Sequence, residues 1–250
     1  MAVYNYADCN RRSFGGYVPG FFTCVAAFES YFSERGSLMD TGREIRKVRI
    51  PEAKEEMLEA KKEIRAAKKE IREKILAARD SLTPADILEK SGEIFKKLCS
   101  LKQYENAKTV IAYLDYRNEV VTRGFISKCI ENGKKIAVPK VIPGTERELK
   151  FYKVFDLSRD VQPGHKGIPE PKAGVLEEVE PSSVDLAVIP GVAFDLRRYR
   201  IGYGAGYYDR YLLKLRRDCF KIGVAFNLQI LNTIPYDGYD IPMDMIITET

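Results

Sequence analysis

The stretch RIGYGAGYYDRYL, residues 200–212, sets glycines at Gly202, Gly204 and Gly206 and follows them with Tyr207, Tyr208, Asp209 and Arg210. Glycines at alternate positions let backbone N–H groups approach a ligand, and a helix opening at YYDRYLLKL carries partial positive charge at its start. That arrangement suits phosphate. A plain glycine-rich turn capped by Asp209 accounts for the same residues, and both readings stay open, with Arg200 and Arg210 on either side favouring an anion. A dinucleotide fingerprint does not fit, because its third glycine would fall at Tyr207 and the polar DLRRYR separates the block from the preceding strand. No G-x-x-x-x-G-K-[ST] phosphate loop occurs anywhere in the chain. An aspartate in a first helical turn either stabilises the helix or holds a hard cation that bridges phosphate oxygens. Asp240 and Asp244, in YDIPMDMIITE, could join Asp209; the plainer role of Asp240 is a turn ahead of Pro242.

A second source of cations is KKEIR, which occurs at 61–65 and again at 68–72, one heptad apart. Lys61, Lys68 and Arg65, Arg72 therefore recur on similar helix faces. A solvated face with i,i+4 pairs such as Glu70 to Lys74 explains both copies equally well, and periodicity does not choose between them.

These residues need elements to hold them. From Lys54 to about Arg79 the chain lacks Gly and Pro, and Met57, Ile64, Ile71, Ile75 and Ala78 repeat at helical spacing, which predicts an amphipathic helix. SLTPAD restarts a helix with Thr83 as N-cap and Pro84 in its first turn, running to about Cys99. The period then changes. Strands at 107–116 and 134–141 flank a helix at 122–133, a β-α-β unit with a parallel sheet. Further strands are expected at 148–154, 184–194, 220–226 and 244–249, with a crossover helix at 207–215. The segment 162–184, with four prolines and three glycines, reads as a long functional loop. The fold expected is α/β, a three-layer Rossmann-like domain of mostly parallel sheet flanked by helices, over residues 54–250. Residues 1–53 lack either period and read as a poorly ordered extension outside the core, with Met57 opening the patterned region; their apolar run is broken by Gly and Pro and does not read as a signal.

Composition narrows the function. The 250 residues carry 41 Lys and Arg against 36 Asp and Glu, a net charge of +5, which favours anionic small molecules over nucleic acid. Five cysteines, Cys9, Cys24, Cys99, Cys129 and Cys219, never form a C-x-x-C pair, so reduced thiols and a cytoplasmic setting are expected, without a structural zinc.

The block PGVAFDLRRYRIGYGAGYYDRYL (190–212) resembles the 5-formyltetrahydrofolate cyclo-ligases, also called 5,10-methenyltetrahydrofolate synthetases. So do the K-x-x-x-R before ARDSLTP, NEVVT (118–122), GIPEP (167–171) and DIPMDMIITE (240–249). The resemblance covers roughly residues 60–250. It implies ATP- and Mg2+-dependent closure of 5-formyltetrahydrofolate to 5,10-methenyltetrahydrofolate, releasing ADP and phosphate through a phosphorylated formyl group, an iminium phosphate. Counting back from SLTP, it selects Lys68 and Arg72 as the pair that contacts ATP. It implies an ATP site of Lys68, Arg72, Arg200, Ile201, Gly202, Tyr203, Gly204, Ala205, Gly206, Tyr207 and Tyr208, with Lys68, Arg72, Arg200 and Tyr207 catalytic. Folate is expected at Leu114, Glu119 and 203–207, and Mg2+ at Asp209 and Asp240; Lys140 and Glu170 are supporting candidates. Glu119 could accept hydrogen bonds from pterin N–H donors.

Three positions depart from the family pattern: Arg198 replaces a turn glycine, Tyr239 a common histidine and Lys166 a folate contact. His165, the lone histidine, is expected to be exposed. The expected partners are reduced folate and ATP, with no nucleic acid and no membrane, and a monomer or dimer as the assembly. Two other classes remain. A non-catalytic regulatory binder of nucleotide or folate would bind without turnover. A nucleic-acid protein using the basic helix 61–74 would bind with steep salt dependence, against which stand six acidic residues within 54–74.

Overall fold

The computed structural model describes residues 50–145, 147–164, 167–172 and 174–250; His165, Lys166 and residues 1–49 lie outside them, and with these the expectations for His165, Lys166 and most of the extension. The chain divides between Glu59 and Ala60, and the description that follows concerns Ala60–Thr250. The first helix, α1 (Ile50–Asp80), begins upstream of that division. It is long because nothing in its sequence breaks it, and it ends where Asp80-Ser81 turns into the next start signal. That signal works as expected: α2 (Pro84–Cys99) is capped by Thr83, whose Oγ1 accepts from Asp86 N at 3.1 Å while Asp86 Oδ2 accepts from Thr83 N at 3.1 Å. Thr83→Ala should cost about 1 kcal/mol. A urea melt reads this directly, and an unchanged midpoint would show that the cap is redundant.

A short α3 (Lys102–Asn106) leads into β1 (Thr109–Ala112), then α4 (Arg123–Glu131), β2 (Lys135–Ile142) and β3 (Glu148–Val154). Next come α5 (Leu157–Asp160), β4 (Val161–Pro163), β5 (Pro169–Pro171), β6 (Leu186–Ile189), β7 (Ala193–Asp195) and β8 (Arg200–Ile201). The chain closes with α6 (Tyr207–Leu212), β9 (Phe220–Val224), β10 (Ile230–Leu231) and β11 (Met245–Ile247). The main sheet has six strands in the order β11-β9-β6-β1-β2-β3. All its neighbours run parallel except β2 and β3, an antiparallel pair from Ile136 opposite Val154 to Ile142 opposite Glu148.

Alternation along the strands builds the layers. Val110 and Ala112, Ile136 and Val138, Leu186 and Val188 pack with Ile94, Leu98, Phe125 and Ile126 of α2 and α4 on one face. Ile111, Ala137, Ala187 and Ile189 pack with Leu149, Phe151, Tyr211 and Leu212 on the other. The expected three-layer α/β domain is what forms. A second, three-stranded sheet, β10-β7-β8, supports α1, whose Ile75 packs with Val192, Ala193, Ile201 and Ile234.

Several boundaries differ from the expected ones. The strand expected at 184–194 is two, split at Pro190-Gly191, because a proline cannot donate to the ladder and a Cβ at Gly191 would lie 2.5 Å from the Phe194 ring. The strand expected at 107–116 stops at Ala112, where the chain turns away into the loop carrying Glu119. The crossover helix ends at Leu212 rather than 215. The long loop 162–184 contains the β4-β5 ribbon, pairing Gln162 with Glu170. The β7-β8-β10 sheet was invisible to pattern reading, since strands of two or three residues show no period.

Candidate functional site

Chain order along the sheet reverses between β1 and β6: β2 and β3 extend one way, β9 and β11 the other. In open α/β sheets ligands bind at the carboxyl ends of strands flanking such a reversal. The segment after β1 carries Glu119, and the β7-β8 hairpin that follows β6 leads into the glycine block.

Gly204 and Gly206 take φ of +100° and +72°, conformations in which side chains are strained, and Gly206 begins α6 with no side-chain cap. Asp209 is therefore no cap for this turn. Its Oδ1 instead accepts from Arg200 Nη2 at 2.8 Å. Arg200 is 4% exposed, its guanidinium lies 5.7 Å from the Tyr208 ring centroid, and its Nε is buried without a partner. From α1, Arg72 Nε donates to the carbonyl of Gly202 at 2.9 Å, and a Cβ on Gly204 would sit 3.4 Å from Arg72 Nη2. The Arg72 guanidinium thus runs along the glycine loop, and burial lowers its pKa from the ordinary value. One turn earlier, Lys68 Nζ reaches Asp240 Oδ2 at 2.5 Å and Asp237 at 3.5 Å. Burial raises the Asp240 carboxyl, with Lys68 working against it. Tertiary structure thus places the second KKEIR copy at the glycine loop; Arg65 of the first is exposed.

The third part of the site is a buried carboxylate. Glu119 is 6% exposed, accepts from Tyr203 Oη at 2.8 Å through Oε1 and from the backbone N of Tyr116 at 3.0 Å through Oε2. Burial raises its pKa above the ordinary glutamate value, opposed by the Tyr203 and Tyr116 hydrogen bonds and by Arg79. Tyr203 is 48% exposed as a residue while its hydroxyl is anchored.

The remaining expected positions differ in burial and partners. Leu114 is 5% exposed within the core cluster, and Ile201 is buried beneath α1. Tyr207 and Tyr208 pack partly into the core behind the loop, and Ala205 is half-buried within it. Lys140 pairs with Glu170 at 3.6 Å, a contact between β2 and β5. Asp209 and Asp240 are held by different cations, Arg200 and Lys68. Among the described residues no group of three or more His, Cys, Asp or Glu side chains could hold a metal by itself. Two oxygen-donor carboxylates still suit Mg2+, which commonly takes one or two carboxylates and fills its shell with phosphate oxygens and water.

Arg198 does take a glycine-like φ of +72°, and it secures that turn twice: its carbonyl accepts from Met243 N at 2.9 Å and its Nη1 donates to Asp244 O at 2.8 Å. Tyr239 is exposed beside Asp240. Sequence reasoning missed Arg79 and Asp237. Arg79 had a signal, since Arg65, Arg72 and Arg79 are spaced by sevens on one helix face; Asp237 had none, because only folding brings its loop to Lys68. Among the described residues no helix is long and apolar enough to cross a membrane.

The model of the 5-formyltetrahydrofolate cyclo-ligase family matches residues 64–249. The probable 5-formyltetrahydrofolate cyclo-ligase of Schizosaccharomyces pombe is 32% identical over 169 residues, covering 62% of this chain and 81% of that protein. The 5-formyltetrahydrofolate cyclo-ligase of Escherichia coli K12 is 29% identical over 171 residues, covering 68% of this chain and 93% of that protein. The NMR structure of Aquifex aeolicus 5,10-methenyltetrahydrofolate synthetase superposes with a TM-score of 0.65 at 34% identity, covering 73% of this chain and 90% of that one.

Proposed function

Because the chain belongs to the 5-formyltetrahydrofolate cyclo-ligase family, we propose that it closes 5-formyltetrahydrofolate to 5,10-methenyltetrahydrofolate at the expense of ATP, releasing ADP and phosphate. The observation that carries this reading is the meeting of Arg72 and the glycine loop, with Arg200 and Lys68 beside it, at the strand reversal where Glu119 is joined to the same loop through Tyr203.

The chemistry asks mainly for positioning and neutralisation. A formamide oxygen is a poor leaving group. Its attack on the γ-phosphorus forms a C–O–P link as the bond to ADP breaks, leaving an iminium phosphate at N5. The neighbouring N10 then attacks the formyl carbon, the C–O bond breaks, phosphate departs and the N10 proton is released. Lys68, Arg72 and Arg200 offset charge gathering on the transferred phosphoryl group, and the backbone of Gly202–Gly206 gives it room. Tyr207, behind the loop, holds it against the core. Glu119 takes hydrogen bonds from the pterin N–H groups and fixes the ring. Mg2+, held by Asp209 and Asp240, supplies further neutralisation of phosphate oxygens when bound. Each carboxylate pairs with a cation assigned to the phosphates, Asp240 with Lys68 and Asp209 with Arg200. Cys99, Cys129 and Cys219 are free thiols, in keeping with a reducing cytoplasm.

Mixing the protein with 5-formyltetrahydrofolate, ATP and Mg2+ and following the near-ultraviolet absorbance of the methenyl product tests the proposal. Absence of ATP-dependent product would overturn it.

Two further outcomes follow. Glu119 must be ionised to accept from pterin donors, so kcat/KM for folate should fall as the pH drops through a value above that of an ordinary glutamate. Stability runs the opposite way: folding favours the protonated form, so this group's contribution declines as pH rises through the same window. A pH profile of Glu119→Gln that retained the acid limb would assign the limb to another group. Residues 1–53 lie outside the catalytic domain in this reading, and deleting them should leave kcat and KM within about twofold of wild type, the scatter of surface changes. Loss of folding in a thermal melt of the truncated protein would place them in the core.

A further inference from the structure

Three separate elements meet at one phenol. Arg79, in the last turn of α1, donates from Nη2 to Tyr203 Oη at 2.8 Å, and Tyr203 Oη lies 2.8 Å from Glu119 Oε1. A guanidinium has no acceptor and an ionised carboxylate has no donor, so with Glu119 ionised the chain runs one way: Arg79 to Tyr203, Tyr203 to Glu119. With Oε2 taken by the Tyr116 N–H, both carboxylate oxygens are held in place. Arg79 is 1% exposed, and its Nε is buried with no partner. Packing alone does not call for such a residue: an apolar side chain would fill the end of α1 without burying a charge or an unmet donor.

We propose that Arg79 is a positioning residue of the folate site, tying the glycine loop to the loop after β1 through Tyr203 and so setting the orientation of the Glu119 carboxylate that meets the pterin. This rests on the cyclo-ligase reading above. The groups facing Glu119 are Arg79 from α1, Tyr203 from the glycine loop, Tyr208 from α6, and Tyr113 and Asp115 from its own segment. Arg79 is the cation among them, so it also opposes the effect of burial on the carboxylate. Tyr203, by contrast, is half-exposed as a residue while its hydroxyl is fixed at both ends, so a flat ring system beside Glu119 would find a rigid aromatic surface.

The test compares wild type with Arg79→Lys, Arg79→Met, Tyr203→Phe and the Arg79→Met/Tyr203→Phe double variant. Wild-type turnover judges the cyclo-ligase reading; the variants, measured against that wild type, judge Arg79. Removing one charge-assisted hydrogen bond should raise KM for 5-formyltetrahydrofolate roughly tenfold or more in Arg79→Met and Tyr203→Phe. KM for ATP should stay within about twofold in Arg79→Met, since Arg79 is not among the cations Lys68, Arg72 and Arg200 assigned to the phosphates. The acid limb of kcat/KM should move to higher pH in both variants and return most of the way in Arg79→Lys, which restores the charge. The double variant should be no worse than Arg79→Met, because both changes cut one chain. An unmoved acid limb, multiplied effects in the double variant, or an equal rise in KM for ATP in Arg79→Met would each overturn the proposal. If Arg79→Met fails to fold by circular dichroism, Tyr203→Phe and Arg79→Lys carry the same readouts.

Discussion

Lys68→Ala should lower kcat/KM for ATP on the order of a thousandfold while leaving the fold intact, as removing a cation from a transferring phosphoryl group does elsewhere. Lys68 lies midway along α1 with its side chain 14% exposed, and its ammonium pairs with the carboxylates of Asp237 and Asp240. Deleting it removes a charge from the site. The two aspartates are then left facing each other without their cation, which further weakens any shared metal. Asp209→Asn should act in the same direction by loosening Arg200. The matched control is the first copy of the repeat: Lys61→Ala and Arg65→Ala should remain within about twofold of wild type, the range of ordinary surface substitutions. A Lys68→Ala enzyme with near-normal KM for ATP and kcat, measured by product absorbance, would remove the nucleotide from this part of the protein.

Asp195→Ala should produce the largest loss of stability of any single change at the site's periphery, about 3–5 kcal/mol. The side chain of Asp195 is wholly buried at the end of β7. Its Oδ1 accepts from the backbone N of Arg197 and of Tyr199, both at 3.0 Å. Its Oδ2 accepts from Arg197 Nε at 2.9 Å, Arg197 Nη2 at 2.7 Å and Ile234 N at 3.1 Å. One carboxylate thus builds the β7-β8 corner and ties it to the segment after β10. The alanine variant leaves backbone N–H groups without acceptors and frees the turn that delivers Arg200 to the glycine loop. For a domain of this size the expected fall in Tm is on the order of 10 °C. A fall below about 2 °C would mean that water or a rearranged Arg197 replaces the carboxylate. Activity should fall as well, because the strand carrying Arg200 loses its anchor.

These two residues show where sequence reading reached and where it stopped. Lys68 was legible once family spacing was added to helical period, yet the period itself could not rank it above Lys61, since both occupy the same face of one helix. Asp195 stands inside the most diagnostic block of the chain and still carried no sign of its five hydrogen bonds, because their donors come from positions 197, 199 and 234. Arg79 is intermediate: it repeats the seven-residue spacing of Arg65 and Arg72, but its partner Tyr203 is more than a hundred residues away.

By itself the sequence determined what depends on local rules. Period and caps determined α1 and α2, alternation and apolar runs determined the strands of the main sheet, and the α/β class followed from their order. The glycine spacing also marked a loop able to receive an anion, because backbone freedom at Gly204 and Gly206 is a property of those residues alone. Tertiary structure decided the rest. It folded the chain so that Arg72 lies along Gly202, Lys68 meets Asp240, and Glu119, Tyr203 and Arg79 share one phenol. It also turned Asp209 from a cap into the partner of a buried arginine. The reason is that side-chain electrostatics in a low-dielectric site depend on distance and burial, and those are set by strand order and packing between segments that are remote in the chain.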